Sequence, residues 1–535
     1  MKITKANKTI LMIFFVLWLV TGLSVVNYAF AQTGQQNEKI DTYRKLRLFT
    51  EVFNRLRMNY IEDIDVDSVI DAAIEGMLDE FDVHTHFFQP DDFDEFRTGT
   101  QGKFGGLGIS IDKQGDYITV ISPIEGTPAY EMGILAGDKI VKVDGESVIG
   151  LSTNEAIKKM RGDVGSKVTI TISRPGVDTD LEFNIVRDLI EIKSIPYAFK
   201  MDNGIGYVRI RQFNANVSRE LRQALDELED EGIRGLLIDL RFNPGGLLNE
   251  AIDTVNEFVG KDKKVVFTQG RIPQVNQEFY TRYDRIRTGY PVIVMINEAS
   301  ASASEIFAGS MQDWDKGLVV GKTSFGKGSV QQLFPLQDGY GIKITTSRYY
   351  IHSGRGIHKD MTDRLIRGEE ISESEMEAIE EKRLEKVYYT ENGRIVYGGG
   401  GITPDIEIDQ SEMSPFQIDV RRRNLLFPFS VDYMIENEAG ITEDFEVNNE
   451  LVTEFLDYLR DHDCEFAPED VEESYEWLRL SLKSNLMARK FGEKAGYIVG
   501  LELDTQLQEA LEIFDRFPEL DEMFAYAESL KVANK

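Results

Sequence analysis

The chain of 535 residues holds a single cysteine, Cys464. This excludes an intrachain disulfide, and it also excludes a lipid-modified N-terminal cysteine, so the protein has to be held together by its apolar cores. Histidine is nearly as scarce: there are five, His84, His86, His352, His358 and His462, and only His84-x-His86 forms a close pair. A zinc site needs more ligands than that pair supplies, so the pair reads as part of a structured turn, and no metal or organic cofactor is expected. Positive charge is also in short supply. Against 92 Asp and Glu stand 60 Lys and Arg, a net charge of −32, which opposes binding to nucleic acid or to anionic lipid surfaces and favours solubility.

The length exceeds a single compact core and predicts three or four domains. Lys2, Lys5 and Lys8 precede an apolar run from Ile10 to Val26, which is followed by Ala29-Phe-Ala31 and a polar stretch from Gln32. This is the layout of a secretory signal over residues 1–31, and the run is long enough that an uncleaved membrane anchor is the second reading. Residues 38–99 carry apolar side chains at helical spacing, first Leu46, Leu48, Phe49, Val52, Phe53 and Leu56, then Val69, Ile70, Ala73, Ile74, Met77 and Leu78, and predict a small helical domain for packing or dimerisation.

From Gly102 the texture changes to glycine followed by short β-branched runs: Phe104-Gly-Gly-Leu-Gly-Ile109, Tyr117 to Ile121, Lys139 to Val143 and Val168 to Ile172, with a helix carrying Ala156, Ile157 and Met160 before the last of them. Together with Gly133-Ile-Leu-Ala-Gly-Asp-Lys-Ile140 and Val143-Asp-Gly-Glu146, residues 100–190 resemble a PDZ domain. The resemblance implies capture of a peptide carboxylate by backbone N–H groups of the Gly106, Leu107, Gly108, Ile109 loop, with the peptide added as a strand to the sheet edge. Gly105-Gly-Leu-Gly108 does not fit a dinucleotide loop, since the full G-x-G-x-x-G spacing and the following helix are missing. Over residues 191–410, short buried runs such as Gly235 to Leu240 and Pro291 to Ile296 alternate with helical stretches, which predicts an α/β core with a largely parallel sheet. Within it, residues 365–388 are a charged, solvated insertion. Residues 411–535 turn acidic and helical again and predict a C-terminal helical domain that packs on the core or on a second subunit. The fold class is therefore multidomain α/β.

Two loops follow buried strands, where α/β sheets build their sites. One is Asn243-Pro-Gly-Gly246, and the other leads through Ala299-Ser-Ala-Ser-Ala-Ser304 into an amphipathic stretch. Ser302, with Lys327 of Phe325-Gly-Lys-Gly328, reads as a nucleophile and its base, because serine needs a base near neutral pH and an uncharged lysine can serve. No carboxylate flanks Lys327 in sequence, and burial without a counter-charge lowers a lysine pKa. Ser300 and Ser304 remain alternatives for the nucleophile. At a helix N-terminus the Ala303 amide faces a developing oxyanion, and Gly245 or Gly246 offers a second donor. Gly321-Lys-Thr-Ser-Phe-Gly-Lys-Gly328 imitates a phosphate-binding loop, but Gly328 stands where Ser or Thr is needed, so nucleotide hydrolysis is not expected.

Asp239-Leu-Arg-Phe-Asn-Pro-Gly-Gly246, Ser300-Ala-Ser-Ala-Ser-Glu-Ile306, Phe325-Gly-Lys-Gly-Ser-Val-Gln331 and Gly401-Ile-Thr-Pro-Asp405, in that order behind the PDZ-like segment, resemble the carboxyl-terminal processing peptidases, or tail-specific proteases. The resemblance covers roughly Phe104 to Ile408. It implies a serine endopeptidase with Ser302 as nucleophile, Lys327 as base and Gln331 orienting the lysine, acting on unfolded or tail-exposed proteins through their C-termini. It also implies a PDZ domain that gates the site in some relatives, with Arg161 of Met160-Arg-Gly-Asp163 as a regulatory contact. A homo-oligomer and an accessory activator are left open. The setting implied is the cell envelope or periplasm, free or anchored to the inner membrane. The rival is a non-catalytic peptide-binding scaffold of the envelope, which predicts a damaged catalytic set, whereas these residues are all present.

Overall fold

The computed structural model describes residues 41–359, 364, 366 and 368–533, so the signal or anchor read over 1–31 lies outside the described residues. Two units divide the chain, one ending at Phe81 and the other starting at Asp82. The first carries a helix over 41–59 and a second, Val66–Leu78, whose N-terminus is capped by Asp65 accepting from the Asp67 and Ser68 amides. Among the described residues no helix is long and apolar enough to cross a membrane.

The second unit begins with a surprise for the sequence reading. His86–Phe88, which lies in the segment read as helical, is a strand that pairs antiparallel with Gly341–Ile351 of the protease part. The helix after it, Pro90–Gln101, buries Phe93 against Gly341, where even a Cβ would sit 2.1 Å from the ring. A strand of three residues is too short to show period-two alternation between helical neighbours.

The PDZ segment forms an antiparallel sheet in the order Ile109–Gln114, Tyr117–Pro123, Lys139–Val143, Lys167–Ser173, Leu181–Val186. The helix Thr153–Met160 starts on a capping box: Ser152 Oγ accepts from the Glu155 amide at 3.3 Å and the Glu155 carboxylate accepts from the Ser152 amide at 2.8 Å. Ile118, Val120, Ile140, Ala156, Ile170 and Ile172 make its core. Ile109–Gln114 lies at the sheet edge, with backbone groups unpaired on one side.

The protease part is built on a sheet in the order Tyr197–Lys200, Ile205–Arg209, Gly235–Asp239, Val292–Ile296, Leu318–Gly321, Ile406–Glu407. Only the first pair is antiparallel; all the others run parallel. Gly235–Asp239 and Val292–Ile296 are buried along their whole length, as strands covered on both faces must be. Leu236, Ile238, Val292, Val294 and Ile296 point to a front layer with Leu221, Val255, Ile306 and Phe307 from the helices Val217–Asp230, Leu248–Val259 and Ala303–Asp313. Leu237, Ile293, Met295, Leu318 and Val320 point the other way, onto Leu507, Leu511, Phe514, Met523 and Phe524 of Thr505–Arg516 and Leu520–Ala533. The last two helices of the chain thus form the rear layer of the protease sheet. A second, antiparallel sheet unites Gly341–Ile351 with Ser329–Pro335 on one side and with His86–Phe88 and Lys264–Gln269 on the other, and Glu278–Tyr280 pairs with Lys264–Gln269. Trp314 is buried in the front core, donates its indole N–H to the Lys264 carbonyl at 3.0 Å and stacks on His352.

The preceding C-terminal helices, including Pro415–Arg422, Leu426–Asn437, Asn449–Asp461 and Tyr475–Phe491, bury a core of their own around Phe416, Phe429, Phe455, Leu478 and Leu482, with Trp477 packed against it. This bundle holds the PDZ segment through Arg489, whose guanidinium covers the Phe427 ring at 4.3 Å and donates to the Ala136 carbonyl at 3.4 Å. Burial pulls the Arg489 pKa down to about 10. The charged insertion carries an exposed helix, Glu373–Leu384, beside which Arg364 pairs with Glu369 and Glu375.

Candidate active site

Where Val292–Ile296 ends, the chain turns through 297–301 and enters the helix Ala303–Asp313 with Ser302 at its N-cap. Ser302 adopts φ 56° and ψ −113°, a sparsely populated conformation for a residue with a Cβ, held only because the surroundings over-determine it. A sharp strand-to-helix turn of this kind pushes a serine side chain out of the packed layers. Its neighbours are committed elsewhere. Ser300 Oγ donates to the Leu240 carbonyl at 2.9 Å and accepts from the Asn297 amide at 2.9 Å, while Ser304 Oγ donates to the Asn243 carbonyl at 3.0 Å; both are fully buried. Ser302 alone of the three is partly exposed.

The glycine loop lies directly against this turn. A Cβ on Gly245 would sit 2.7 Å from Ser302 Cβ and 2.8 Å from the Ala303 nitrogen, and one on Gly246 would sit 2.1 Å from the Phe213 carbonyl oxygen. With φ of 96° and 147° the two positions also demand glycine on conformational grounds. Asn243 Oδ1 accepts the Gly245 N–H at 2.9 Å, which leaves Gly246 as the glycine of the pair whose N–H that side chain does not occupy. The loop is stitched to the serine turn from both sides: the Asn243 carbonyl accepts from the Ala301 amide at 2.9 Å and from Ser304, and Asn297 Oδ1 accepts from the Phe242 amide at 2.8 Å. Its other anchor is electrostatic. Asp239 is fully buried, which would raise its pKa, but Arg241 and Arg209 bring it well below the usual carboxylate range. Arg241 reaches on to Asp504, at the N-cap of the rear-layer helix Thr505–Arg516.

Lys327, half-buried, is brought to Ser302 by two side chains that the sequence reading passed over. Glu305, buried in the first turn of the serine helix, accepts from the Ser302 amide at 2.7 Å and the Lys327 amide at 2.9 Å with Oε2, and from Ser324 Oγ at 2.5 Å and the Gly326 amide at 2.7 Å with Oε1. Full burial pushes its pKa up to about 7, against four hydrogen bonds that all favour the carboxylate. Tyr349 completes the arrangement: its hydroxyl lies 2.6 Å from the Lys327 carbonyl and 3.1 Å from the Ser302 carbonyl, with one proton to serve both. Burial, and then the Glu305 charge, hold that hydroxyl protonated. Both candidate residues therefore have amide and carbonyl fixed by the same pair of side chains. The Ser302-x-x-Glu305 spacing is a capping-box signal that points to Glu305; nothing local in the sequence points to Tyr349.

Gln331 sits at a bulge in Ser329–Pro335, four positions after Lys327. Its amide nitrogen donates to Ser329 Oγ at 2.8 Å and Thr345 Oγ1 at 3.3 Å, and Thr345 Oγ1 in turn donates to Asp82 at 3.0 Å. In the PDZ segment, Gly106 ends the strand Lys103–Gly106, which pairs antiparallel with Asp188–Glu191, so only Leu107 and Gly108 form the buried loop; their carbonyls accept from the Ala129 and Ile124 amides, and Ile109 opens the edge strand. Arg161 lies over the Phe104 ring at 4.4 Å and 3.6 Å from Glu95, at the junction of the PDZ segment with Pro90–Gln101. Among the described residues no cluster of three His, Cys, Asp or Glu is arranged to hold a metal ion.

The family model for peptidase family S41 matches residues 204–364, and a PDZ domain model matches residues 119–174. Among solved structures, a photosystem II D1 C-terminal processing protease is 25% identical with a TM-score of 0.36, over 68% of this chain and 92% of that one. A carboxy-terminal-processing protease of Bartonella bacilliformis is 39% identical over 349 residues, which is 64% of this chain and 79% of the relative. The carboxy-terminal processing protease CtpA of Bacillus subtilis is 32% identical over 344 residues, 64% of this chain and 71% of the relative. Sharing 32 to 39% identity with these two over most of their length, the chain belongs to peptidase family S41 and, within it, to the carboxy-terminal processing proteases.

Proposed function

We propose that this peptidase is a serine endopeptidase of exported proteins in the cell envelope, working through Ser302 and Lys327 on chains whose C-terminal tails are first captured by the PDZ domain. The observation that carries the reading is the shared fixation of Ser302 and Lys327 by Glu305 and Tyr349, in a turn where the two neighbouring serines are buried and committed. An uncharged Lys327 takes the proton of Ser302 as the hydroxyl oxygen attacks the scissile carbonyl. The oxyanion forms opposite the Ala303 amide, the first of its helix, and the Gly246 amide. Lys327 then passes the proton to the leaving amine of the product, and its own amine, neutral again, takes a proton from the water that attacks the acyl carbon and returns it to Ser302 Oγ as the acid leaves. Gln331 supports the strand that follows Lys327. Upstream, the Ile109–Gln114 edge receives the tail as an added strand, with its carboxylate at the Gly106 to Ile109 segment.

The test is cleavage of a tail-bearing unfolded substrate by the wild-type chain and by Ser302→Ala and Lys327→Ala. Both variants are expected to bind tail peptide with wild-type affinity and to lose turnover by at least about 10³-fold. Retained turnover in Ser302→Ala sinks the serine assignment, and intact tail binding with no turnover in the wild type favours the scaffold reading.

A further inference from the structure

Phe242 is both strained and exposed. Its backbone is at φ 58°, a left-handed conformation that is strained for any residue with a Cβ and an outlier for one this bulky. Its side chain is 62% exposed, while Phe213, Phe258 and Phe307 of the same domain are buried. A strained aromatic that buries little contributes nothing evident to folding, and strain kept without a packing return is a mark of function. The neighbourhood forbids relaxation: the Phe242 amide is bound to Asn297 Oδ1 at 2.8 Å, Asn243 next to it is bound to the serine turn, and Arg241 before it is locked between Asp239 and Asp504. Three residues on, Gly245 touches Ser302 and the Ala303 amide. The ring is thus held out at the rim of the loop that would face the scissile carbonyl.

We infer that Phe242 is a specificity residue, whose ring packs on an apolar side chain of the extended substrate at one position beside the scissile bond. This rests on the protease reading above and adds a substrate class to it: peptides with an apolar residue next to the cleaved bond, over those with a small or charged one there. Apolar contact of this kind discriminates by transfer of surface from water, worth about 10- to 200-fold between side chains that differ by a little apolar bulk.

The experiment measures kcat/KM of the full chain on a peptide series that shares one C-terminal tail and carries Leu, Ala or Asp at each position from three before to three after the bond. The wild type is expected to favour Leu over Ala at one of these positions by about tenfold or more. Phe242→Asn should erase most of that ratio at that position alone, chiefly through KM, and Phe242→Tyr should restore it. Phe242→Gly, which suits the left-handed backbone, should unfold at the same temperature as the wild type or higher. Leu to Ala ratios left unchanged at every position in Phe242→Asn overturn the inference, and so does a lowered unfolding temperature in Phe242→Gly, which would make the ring a packing element. Ser302→Ala run on the same peptides tests the protease reading separately: turnover there overturns the mechanism, whereas a dead Ser302→Ala beside an unaltered Phe242→Asn profile overturns the specificity role alone.

Discussion

At the scale of single residues, the site rests on Glu305 as much as on Ser302. A carboxylate with four donors on it has no place for a donor of its own, so protonation has to break one of those bonds. With its pKa pushed up to about 7 by burial, the acid limb of the kcat profile should include this loss, and turnover should fall as pH drops through about 7. Glu305→Gln offers one acceptor oxygen in place of two for three backbone amides and the Ser324 hydroxyl and is expected to lower kcat by about 10²-fold, the cost of a small misplacement of reacting groups, and to alter that acid limb; unchanged kcat would remove Glu305 from the site. The stability effect runs the other way. The folded value lies above that of an unfolded glutamate, about 4.3, so the folded chain holds the proton more tightly, and the stabilisation this gives is complete below about pH 4.3 and lost as pH rises through about 7. The unfolding temperature of Glu305→Gln relative to wild type should therefore climb across that window, and a flat difference would contradict it. Ser302 and Lys327 are legible in the sequence because each sits in an unusual local composition. Tyr349 is not, because a tyrosine in a strand is ordinary, and it meets both carbonyls only after Ser329–Pro335 pairs with Gly341–Ile351.

At the scale of elements, the strand, turn and helix around Ser302 follow directly from a continuous apolar run that ends in small residues. The glycine loop is equally readable, but its second support is not. Arg241 is tied to Asp504, more than 200 positions later, and the carboxylate that caps Thr505–Arg516 also steadies the loop that carries Gly245. No spacing rule joins residues so distant. Asp504→Ala removes a charged partner from a largely buried guanidinium and is expected to cost about 1.5–3 kcal/mol in denaturant unfolding, together with a loss of kcat. A stability loss with kcat intact would show that the helix is docked there without bearing on the loop. His86–Phe88 gives the same lesson in small: three residues hold too little pattern to show which sheet they join.

At the scale of the molecule, amphipathic helices in a tail reveal that one face is buried, never against what. Residues 411–535 read as one helical block, yet the structure splits them between a bundle with its own core and the rear layer of the protease sheet. The two bodies have separate apolar interiors, and each has a tryptophan: Trp314 lies among Phe258, Phe307 and Val265, and Trp477 packs against the bundle core. The chain has only one other tryptophan, Trp18. With Trp18 replaced by Phe, together with either Trp314 or Trp477, the remaining indole becomes a fluorescent reporter for one interior. Separate cores are expected to give emission shifts at different denaturant concentrations, and coincident shifts would mean that the bundle and the protease sheet melt as one. Because Trp314 is stacked on the His352 ring at 3.9 Å, parting of the two rings on unfolding should also change its emission, so the protease core carries an optical signal of its own for the opening of that one contact, with no label added.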